Sequence, residues 1–297
     1  MGRENFTVGG QAVIEGVMMR NKSAVAIALR QDKGTISVHK KHFRSIGEKY
    51  PFLKWPLLRG VVAFVEALIL GYQSLTLSAE QVLEDEEEEL GGWELPLTLV
   101  ISLAAGIGLF MLLPTVLMKF LKQGLEMPLL LNLAEGLLRM VIFLSYIFAI
   151  SRWKEIRRVF QYHGAEHKAI ACFEAGRPLT VENTHDCSTL HRRCGTSFLL
   201  IVMVTSILLF SLFGWPGLWQ RIVIRLLLLP LVAGLSYEAI RLAGTKDNLF
   251  TRILSQPGLW LQLLTTQKPT DDQVEVALSA LQAVLPEEVP DPGRSYS

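Results

Sequence analysis

Four long apolar stretches divide the chain and predict helices that cross a membrane. These stretches cover residues 97–118, 128–150, 198–214 and 222–243. A helix needs about 20 apolar residues to cross the hydrocarbon core of a bilayer, so all four qualify, the third only narrowly. The pattern therefore predicts a mainly α-helical polytopic membrane protein with about four transmembrane helices.

Residues 50–83 show a different pattern, in which polar side chains return at a helical interval. Arg59, Glu66, Gln73 and Glu80 are spaced seven apart in an otherwise apolar sequence. This spacing predicts an amphipathic helix that lies on the membrane surface or packs on the other helices. A true span is the less favoured alternative, because Arg59 and Glu66 interrupt the apolar run.

Both ends of the chain differ from this apolar middle part. Residues 1–44 contain alternating and β-rich stretches around a turn signal at residues 31–34, which predicts a β-rich segment with a hairpin. The glycine pair at residues 9–10 is expected to form a structural turn, since the motif of a phosphate-binding loop does not follow it. Residues 244–297 combine a capped amphipathic helix, which begins at Thr270, with a tail rich in proline and acidic residues.

Residues 84–92 separate the amphipathic helix from the first predicted span. Six consecutive acidic residues, 84–89, lead to two glycines. Runs of like charge are usually solvated, and cation binding is the alternative interpretation. We therefore expect an acidic, solvated linker at this place.

The distribution of basic residues predicts the orientation in the membrane. Residues 151–197, between the second and third spans, carry eight lysine and arginine residues, whereas residues 119–127 carry two and residues 215–221 carry one. Loops rich in lysine and arginine stay in the cytoplasm. The segment 151–197 is therefore expected to be cytoplasmic and, with four spans, both termini are expected there too.

Composition agrees with a membrane protein and narrows the choice of partners. The chain is 50% hydrophobic with a mean hydropathy of +0.34, so a lipid bilayer is the expected partner. A net charge of +1 gives no reason to expect nucleic acid. All three cysteines lie in one segment, which favours reduced cytoplasmic thiols over a disulfide framework. The first twenty residues lack the pattern of a cleaved signal peptide.

Residues 162–195 contain most of the side chains that could perform chemistry. Four of the six histidines and all three cysteines lie there. The sequence His163-Gly-Ala-Glu166-His167 matches the H-x-x-E-H pattern of inverted zinc peptidases. Residues four apart share a helix face, so the two imidazoles could bind one cation, with Glu166 as a general base. The alternative is a pair of core or interfacial histidines that hydrogen-bond to their neighbours.

A metal site needs at least one more ligand, and the sequence offers three candidates. Glu238 lies toward the cytoplasmic end of the fourth span, although Arg241 could neutralise it. His191 and Cys194 lie three apart just before the third span. Together with the two histidines of the motif they would form a closed tetrahedral site, which is typical of structural rather than catalytic zinc. The expected cofactor is a divalent metal, zinc.

Charged residues inside the predicted spans form a second group of interest. Glu135, Arg139 and Arg225 lie in apolar stretches, and charges in lipid must find partners. A structural ion network is the favoured interpretation, and a conduction or substrate path is the alternative. His185 and Cys187 are expected to lie in an exposed loop.

Several motifs resemble those of the YqhQ-like family of uncharacterised bacterial membrane proteins. The motifs are GGQAVIEGVMMR, WPLLRGVVAFVEAL, YHGAEHKAI, RCGTSF, SYEAIR and DDQVEVALSAL. The resemblance covers about residues 9–285, and it implies a protein of the bacterial cytoplasmic membrane. Members are described as predicted metal-dependent enzymes without an established substrate. The residues that this sequence places within the shared motifs are His163, Glu166, His167, His191, Cys194 and Glu238.

Three hypotheses of function follow from these patterns. The first is a membrane-embedded metal-dependent hydrolase with its site at the cytoplasmic interface. The second is a non-catalytic scaffold or biogenesis factor with a structural zinc site, which would bind other membrane proteins or form a homo-oligomer. The third is a small transporter that uses the charges inside the spans.

Overall fold

The computed structural model describes residues 8–22, 24–32, 34–85, 93–121, 127–245 and 249–286. In these parts of the chain, a four-stranded sheet near the N-terminus is followed by a mainly helical structure, as predicted. Most of the predicted acidic linker and nearly all of the predicted C-terminal tail lie outside the described residues.

The strands form one antiparallel sheet in chain order. They are β1 (Val8–Val13), β2 (Gly16–Asn21), β3 (Ala24–Arg30) and β4 (Ile36–His42). The pairing of β3 with β4 confirms the predicted hairpin. Gly9 and Gly10 lie within β1 and pair with β2, so the prediction of a turn there is wrong. The turn comes instead at Ile14 and Glu15, and Glu15 has a positive φ of 53°.

Eleven α-helices follow in the described residues. They are α1 (Ile46–Lys49), α2 (Leu58–Asp85), α3 (Glu94–Ile107), α4 (Leu113–Leu121), α5 (Pro128–Ile150), α6 (Lys154–Glu174), α7 (Val181–Thr184), α8 (Gly195–Ser211), α9 (Leu218–Thr245), α10 (Leu249–Thr265) and α11 (Asp271–Val284). A π-helical turn, Gly108–Leu112, joins α3 to α4. Helix α11 begins with a capping box between Thr270 and Gln273, in agreement with the predicted start.

Two helices, α6 and α11, cover one face of the sheet. The buried side chains of this core come from β1 to β3, from the C-terminal part of α6 and from α11; they include Val17, Met19, Ala26, Tyr162, Phe173, Ala277 and Leu281. Alternate strand residues point to the same face, which is why Val17 and Met19 share it. The C-terminal segment therefore folds back onto the N-terminal sheet, and α6 is held between them.

The other face of the sheet is covered by the second half of α2. Leu70 and Leu77 of α2 pack on strand residues that include Val13, Val25 and Leu29. The first half of α2 instead meets α9, where a Cβ on Gly60 would lie 2.9 Å from the Cα of Gly234. Small residues allow helix backbones to approach closely. Helix α2 thus connects the sheet to the helical part of the molecule.

Within the described parts of the chain, four helices are long and apolar enough to cross a membrane. They are Leu58–Leu83, Pro96–Leu121, Pro128–Ile150 and Trp219–Ala243. The last three correspond to the first, second and fourth predicted spans. Helix α8 falls short of this length, because the chain turns at Gly214 with a φ of 68° before Pro216.

The helix predicted as amphipathic, α2, is long and apolar enough for a span, which was the less favoured alternative. The two charges that counted against it have partners in the structure. Glu66 accepts from Arg20 at 3.0 Å and Arg59 donates to Glu238 at 2.6 and 2.5 Å. Paired charges are tolerated on an apolar helix far better than free ones.

Glu135 lies at the centre of an ion network inside the helical part. Its carboxylate accepts from Arg139, Arg221 and Arg225 at 3.0, 3.0 and 2.7 Å, and from the hydroxyl of Thr115 at 2.9 Å. A network of Glu135, Arg139 and Arg225 was predicted from the sequence, but Arg221 was not part of it, because it lies at the start of α9 rather than inside the predicted span.

Candidate metal centre

Helix α6 brings His163, Glu166 and His167 together within little more than one turn. The backbone of the segment that follows α10 can approach this part of α6 closely because residue 164 is a glycine. A Cβ there would lie 2.1 Å from the carbonyl oxygen of Gln267, in the segment that joins α10 to α11. The Gln267 N–H donates to the carbonyl of Phe160 at 2.9 Å. Gly164 weakens the helix slightly, but it permits this linker to lie against the motif.

Cys194 enters the site from the N-terminus of α8. It is the N-cap residue, and its Sγ accepts from the backbone N–H of Thr196 at 3.4 Å. The Nε2 atom of His163 lies 3.1 Å from this sulfur. One ligand atom from each of His163, His167 and Cys194 can be chosen so that all three lie within 4.8 Å of one another. The amino-terminal end of a helix favours a negatively charged sulfur.

Backbone carbonyls fix the orientation of both imidazole rings. The Nδ1 atom of His163 lies 2.8 Å from the carbonyl oxygen of Thr265, and that of His167 lies 2.5 Å from the carbonyl oxygen of Thr189. A carbonyl only accepts, so each Nδ1 carries a hydrogen, and in a neutral ring each Nε2 then presents a lone pair. Metal-binding histidines are usually held in this way by their second nitrogen. The ring centroids are 4.5 Å apart.

Glu166 lies beside His163 with a buried side chain. Its carboxylate is 4.0 Å from His163 Nε2, and the side chain is 6% exposed. Burial raises the pKa of the Glu166 carboxyl, against the opposite effects of His163, His191 and the Gly10 N–H. The glycine of β1 provides the space, because a Cβ on Gly10 would lie 2.9 Å from the Glu166 side chain.

His191 lies beside the cluster, but both of its ring nitrogens have other neighbours. Nε2 is 3.2 Å from a carboxylate oxygen of Glu174, and Nδ1 accepts from the N–H of Arg193 at 3.4 Å. Its ring centroid is 5.8 Å from that of His167. The buried side chain of Gln262 holds its backbone through two hydrogen bonds of 2.8 Å. Among the described residues, the group of side chains that could hold a metal ion does not include His191.

Glu238 is engaged elsewhere. Its carboxylate makes a bidentate ion pair with Arg59 of α2, and the charge of the nearby Arg241, considered from the sequence, also acts on it. It is not part of the His/Cys group either. His185 pairs with Asp271 at 2.9 Å on the surface, in agreement with its expected exposure.

Sequence reasoning missed several groups that shape the site. The carbonyls of Thr189 and Thr265 are backbone atoms, so no residue type marks them. The glycine pair at residues 9–10 is visible in the sequence, but it predicted a turn and not a close approach of Gly10 to Glu166. Gln262 is visible only as a polar residue within the apolar sequence of α10.

Comparison with known proteins supports the resemblance noted from the motifs. The family model described as "Protein of unknown function (DUF1385)" matches residues 55–287. The "Uncharacterized protein YqhQ" of Bacillus subtilis (strain 168) is 37% identical over 291 residues, which cover 93% of this chain and 92% of that protein. No solved structure matches the chain.

Proposed function

We propose that this chain, which belongs to the DUF1385 family of proteins of unknown function, is a membrane protein that binds one divalent metal ion, zinc, through His163, His167 and Cys194. The observation that supports this most is the orientation of the two rings. Each Nδ1 is held by a backbone carbonyl, so both Nε2 atoms are free to bind. A pair of ordinary core histidines has no need for two lone pairs beside a buried thiol.

The distances fit a tetrahedral zinc site. Zinc binds nitrogen and sulfur at roughly 2.0–2.3 Å, which separates the ligand atoms from each other by roughly 3.3–3.7 Å. His163 Nε2 and Cys194 Sγ are 3.1 Å apart, and the full set lies within 4.8 Å. Small side-chain rotations therefore suffice, and none of the hydrogen bonds made by Nδ1 needs to break.

The arrangement favours a metal-dependent hydrolase of the H-x-x-E-H type. Zinc with three protein ligands keeps one position for water or substrate, and a bound divalent metal supplies Lewis acidity there. Glu166 is the proton acceptor of this chain, because it lies beside the cluster and burial raises its pKa toward that of a useful general base. The substrate would be a molecule that reaches the cytoplasmic interface.

Elemental analysis of the full chain, purified without chelators, tests the proposal. Wild type and Glu166→Gln should each carry close to one divalent metal per chain, whereas His163→Ala, His167→Ala and Cys194→Ser should lose it. His185→Ala and Cys187→Ser are matched controls outside the cluster and should keep it. Metal-free wild-type protein would contradict the proposal.

A structural zinc site is the second candidate, and the proximity of His191 favours it. If the imidazole left Glu174, it could complete a closed site with four protein ligands, as in a scaffold that binds other membrane proteins or a second copy of the chain. Retention of metal by His191→Ala would support the open hydrolase site. Loss of metal in that variant would support the closed one.

We also propose that the protein lies in the bacterial cytoplasmic membrane with the sheet, α6, α11 and both termini in the cytoplasm. Since β1 and α11 both pack on α6, these elements are on one side of the membrane. The number of crossings between the sheet and α6 must therefore be even. The segment α3–α4 and helix α5 supply two, so α2 does not cross completely, in agreement with its packing on the sheet. Since α6 and α11 are on the same side, the number of crossings between them must also be even. We assign these two crossings to α8 and α9, so α10 does not cross.

Thiol labelling tests this orientation. Cys187 is half-buried, whereas Cys172 and Cys194 are buried, so a maleimide should modify mainly Cys187. A membrane-impermeant maleimide should label inside-out vesicles but not intact cells, and Cys187→Ser should abolish the signal. Labelling of intact cells would contradict the proposed orientation.

A further inference from the structure

The ion network around Glu135 contains more positive charge than it can neutralise internally. One carboxylate accepts from three arginines, Arg139, Arg221 and Arg225. Arginine keeps its charge in proteins, so the four groups together carry a net charge of +2. Their side chains are buried, with exposures of 1% for Glu135, 9% for Arg221 and 10% for Arg225. Charges inside an apolar region are normally paired.

One donor of this network has no acceptor. Among the buried side-chain nitrogens of the described residues, the Nε of Arg221 lacks a hydrogen-bond partner. An unpaired buried donor is costly, and a charged one more so. The guanidinium lies 4.2 Å over the ring of Trp215, and its Nη1 reaches Glu135 at 3.0 Å. The ring and the carboxylate thus fix the guanidinium in place while Nε stays unused.

The network lies near the amino-terminal ends of α5 and α9. Glu135 and Arg225 each lie seven residues from the first residue of α5 and α9, which corresponds to about 10 Å, and Arg221 lies about 5 Å from the start of α9. Both helices are candidate spans. Trp215 precedes α9 in the short connection, where tryptophan is typical of a membrane interface. The His/Cys cluster is at the opposite ends of α5 and α8.

A local change in helix type occurs at the same network. Arg139 Nε donates to the carbonyl of Phe110 at 2.9 Å, within the π-helical turn Gly108–Leu112. Wide turns of this kind often occur at functional sites. The turn directs a backbone carbonyl to Arg139, whereas the hydrogen bonds that Arg221 and Arg225 of α9 make within the described residues go to Glu135.

We propose that Arg221 and Arg225, arranged around Glu135, form a binding site for a phosphate-type oxyanion at the membrane face opposite the metal centre. A phosphate group would accept from Arg221 Nε and offset the excess charge, and guanidinium groups recognise phosphate through paired hydrogen bonds. The oxyanion belongs either to the head group of an anionic phospholipid or to a free phosphate compound. The two sources share the chemistry of recognition and differ in whether acyl chains are needed.

The site can be tested with the full chain, delipidated in a neutral detergent. The measured quantity is the shift of its thermal unfolding temperature when a probe is added. The probes are phosphatidylglycerol, phosphatidylcholine and inorganic phosphate. Phosphatidylglycerol should stabilise the wild type in a saturable manner and phosphatidylcholine should not, because a ligand that binds only the folded state raises its stability. A shift by inorganic phosphate as well would identify a free oxyanion as sufficient, and a shift by the lipid alone would identify the head group as the source.

Variants that change the charge of the network in opposite directions distinguish a binding role from a structural one. Arg221→Gln should weaken the apparent affinity about tenfold, since it removes one charge-assisted contact. Glu135→Gln raises the excess charge and should tighten binding. Arg152→Gln removes an exposed arginine at the other end of α5 and should leave the affinity unchanged. If Arg221→Gln does not fold, Arg221→Lys keeps the charge without Nε and should still bind more weakly than wild type.

Two results would overturn the proposal. One is a folded wild-type protein that neither phosphatidylglycerol nor inorganic phosphate stabilises. The other is an affinity that stays the same in Glu135→Gln and in the Arg221 variant that folds, because the network would then be an ion cluster without a ligand. The metal content of the protein plays no part in either readout.

Discussion

Replacing Gly10 with alanine should disturb the candidate site from a strand that supplies none of its ligands. A Cβ at Gly10 would lie 2.9 Å from both Cγ and Cδ of Glu166 and 2.8 Å from the carbonyl oxygen of Met18. The neighbouring Gly9 has nothing within 4 Å of the equivalent position. The two glycines are therefore a matched pair in the same strand, and they differ in what an added methyl group would meet.

The expected changes in the free energy of unfolding have opposite signs. Glycine inside a strand costs roughly 0.5–1 kcal/mol relative to alanine, so Gly9→Ala should stabilise the protein by about that amount. Gly10→Ala has the same entropic gain, but overpacking costs about 1–3 kcal/mol. The Met18 oxygen belongs to the paired strand β2 and cannot rotate away. Net destabilisation by about 1–2 kcal/mol is therefore expected for Gly10→Ala.

Unfolding of the metal-free full chain in detergent, followed by circular dichroism, measures both effects. A double variant, Gly10→Ala with Glu166→Ala, adds a sharper test. Glu166 supplies two of the three close atoms, so its truncation should make the Gly10 substitution less costly. Equal stabilisation by the two alanine substitutions would refute the proposed packing. A cost of Gly10→Ala that is unchanged by the truncation would show that Glu166 is not the group displaced.

Three further predictions concern other supports of the site. Gly164→Ala should destabilise the protein by about 1–3 kcal/mol, because the Gln267 carbonyl is too close; stabilisation, as at an ordinary helical glycine, would contradict this. Glu238→Gln should keep the metal in elemental analysis while lowering the melting temperature through the lost ion pair with Arg59, and loss of metal would return Glu238 to the ligand set. Gln262→Leu should cost about 2 kcal/mol in denaturant unfolding, since it leaves buried polar partners unpaired; an unchanged stability would contradict this.

Periodicity alone allowed much of the fold to be predicted. Long apolar runs predicted the helices around residues 97–118 and 128–150, and alternation predicted the β3–β4 hairpin. The prediction for α2 was incomplete, because local sequence cannot reveal the partners of its charges. Arg59 and Glu66 looked like obstacles to a span, but their partners Glu238 and Arg20 come from distant parts of the chain.

The candidate site could be predicted only as far as side-chain chemistry marks it. Spacing alone brought His163 and His167 together, because four residues make about one helical turn. Cys194 was one of three candidates for a further ligand, and only the fold places it against His163. The role of Glu166 as a base and that of the cluster as a zinc site stay predictions.

The cluster draws on elements that are far apart in the chain. α6 supplies two imidazoles, the N-terminus of α8 supplies the thiol, and carbonyls at Thr189 and Thr265 orient the rings. Glu166 is in turn closed off by β1. Metal binding in such a site is coupled to folding, because the ligands converge only in the folded state. A metal at this place would therefore stabilise the junction between the sheet with its two covering helices and the helical membrane part. Removal of the metal should loosen that junction before either part unfolds.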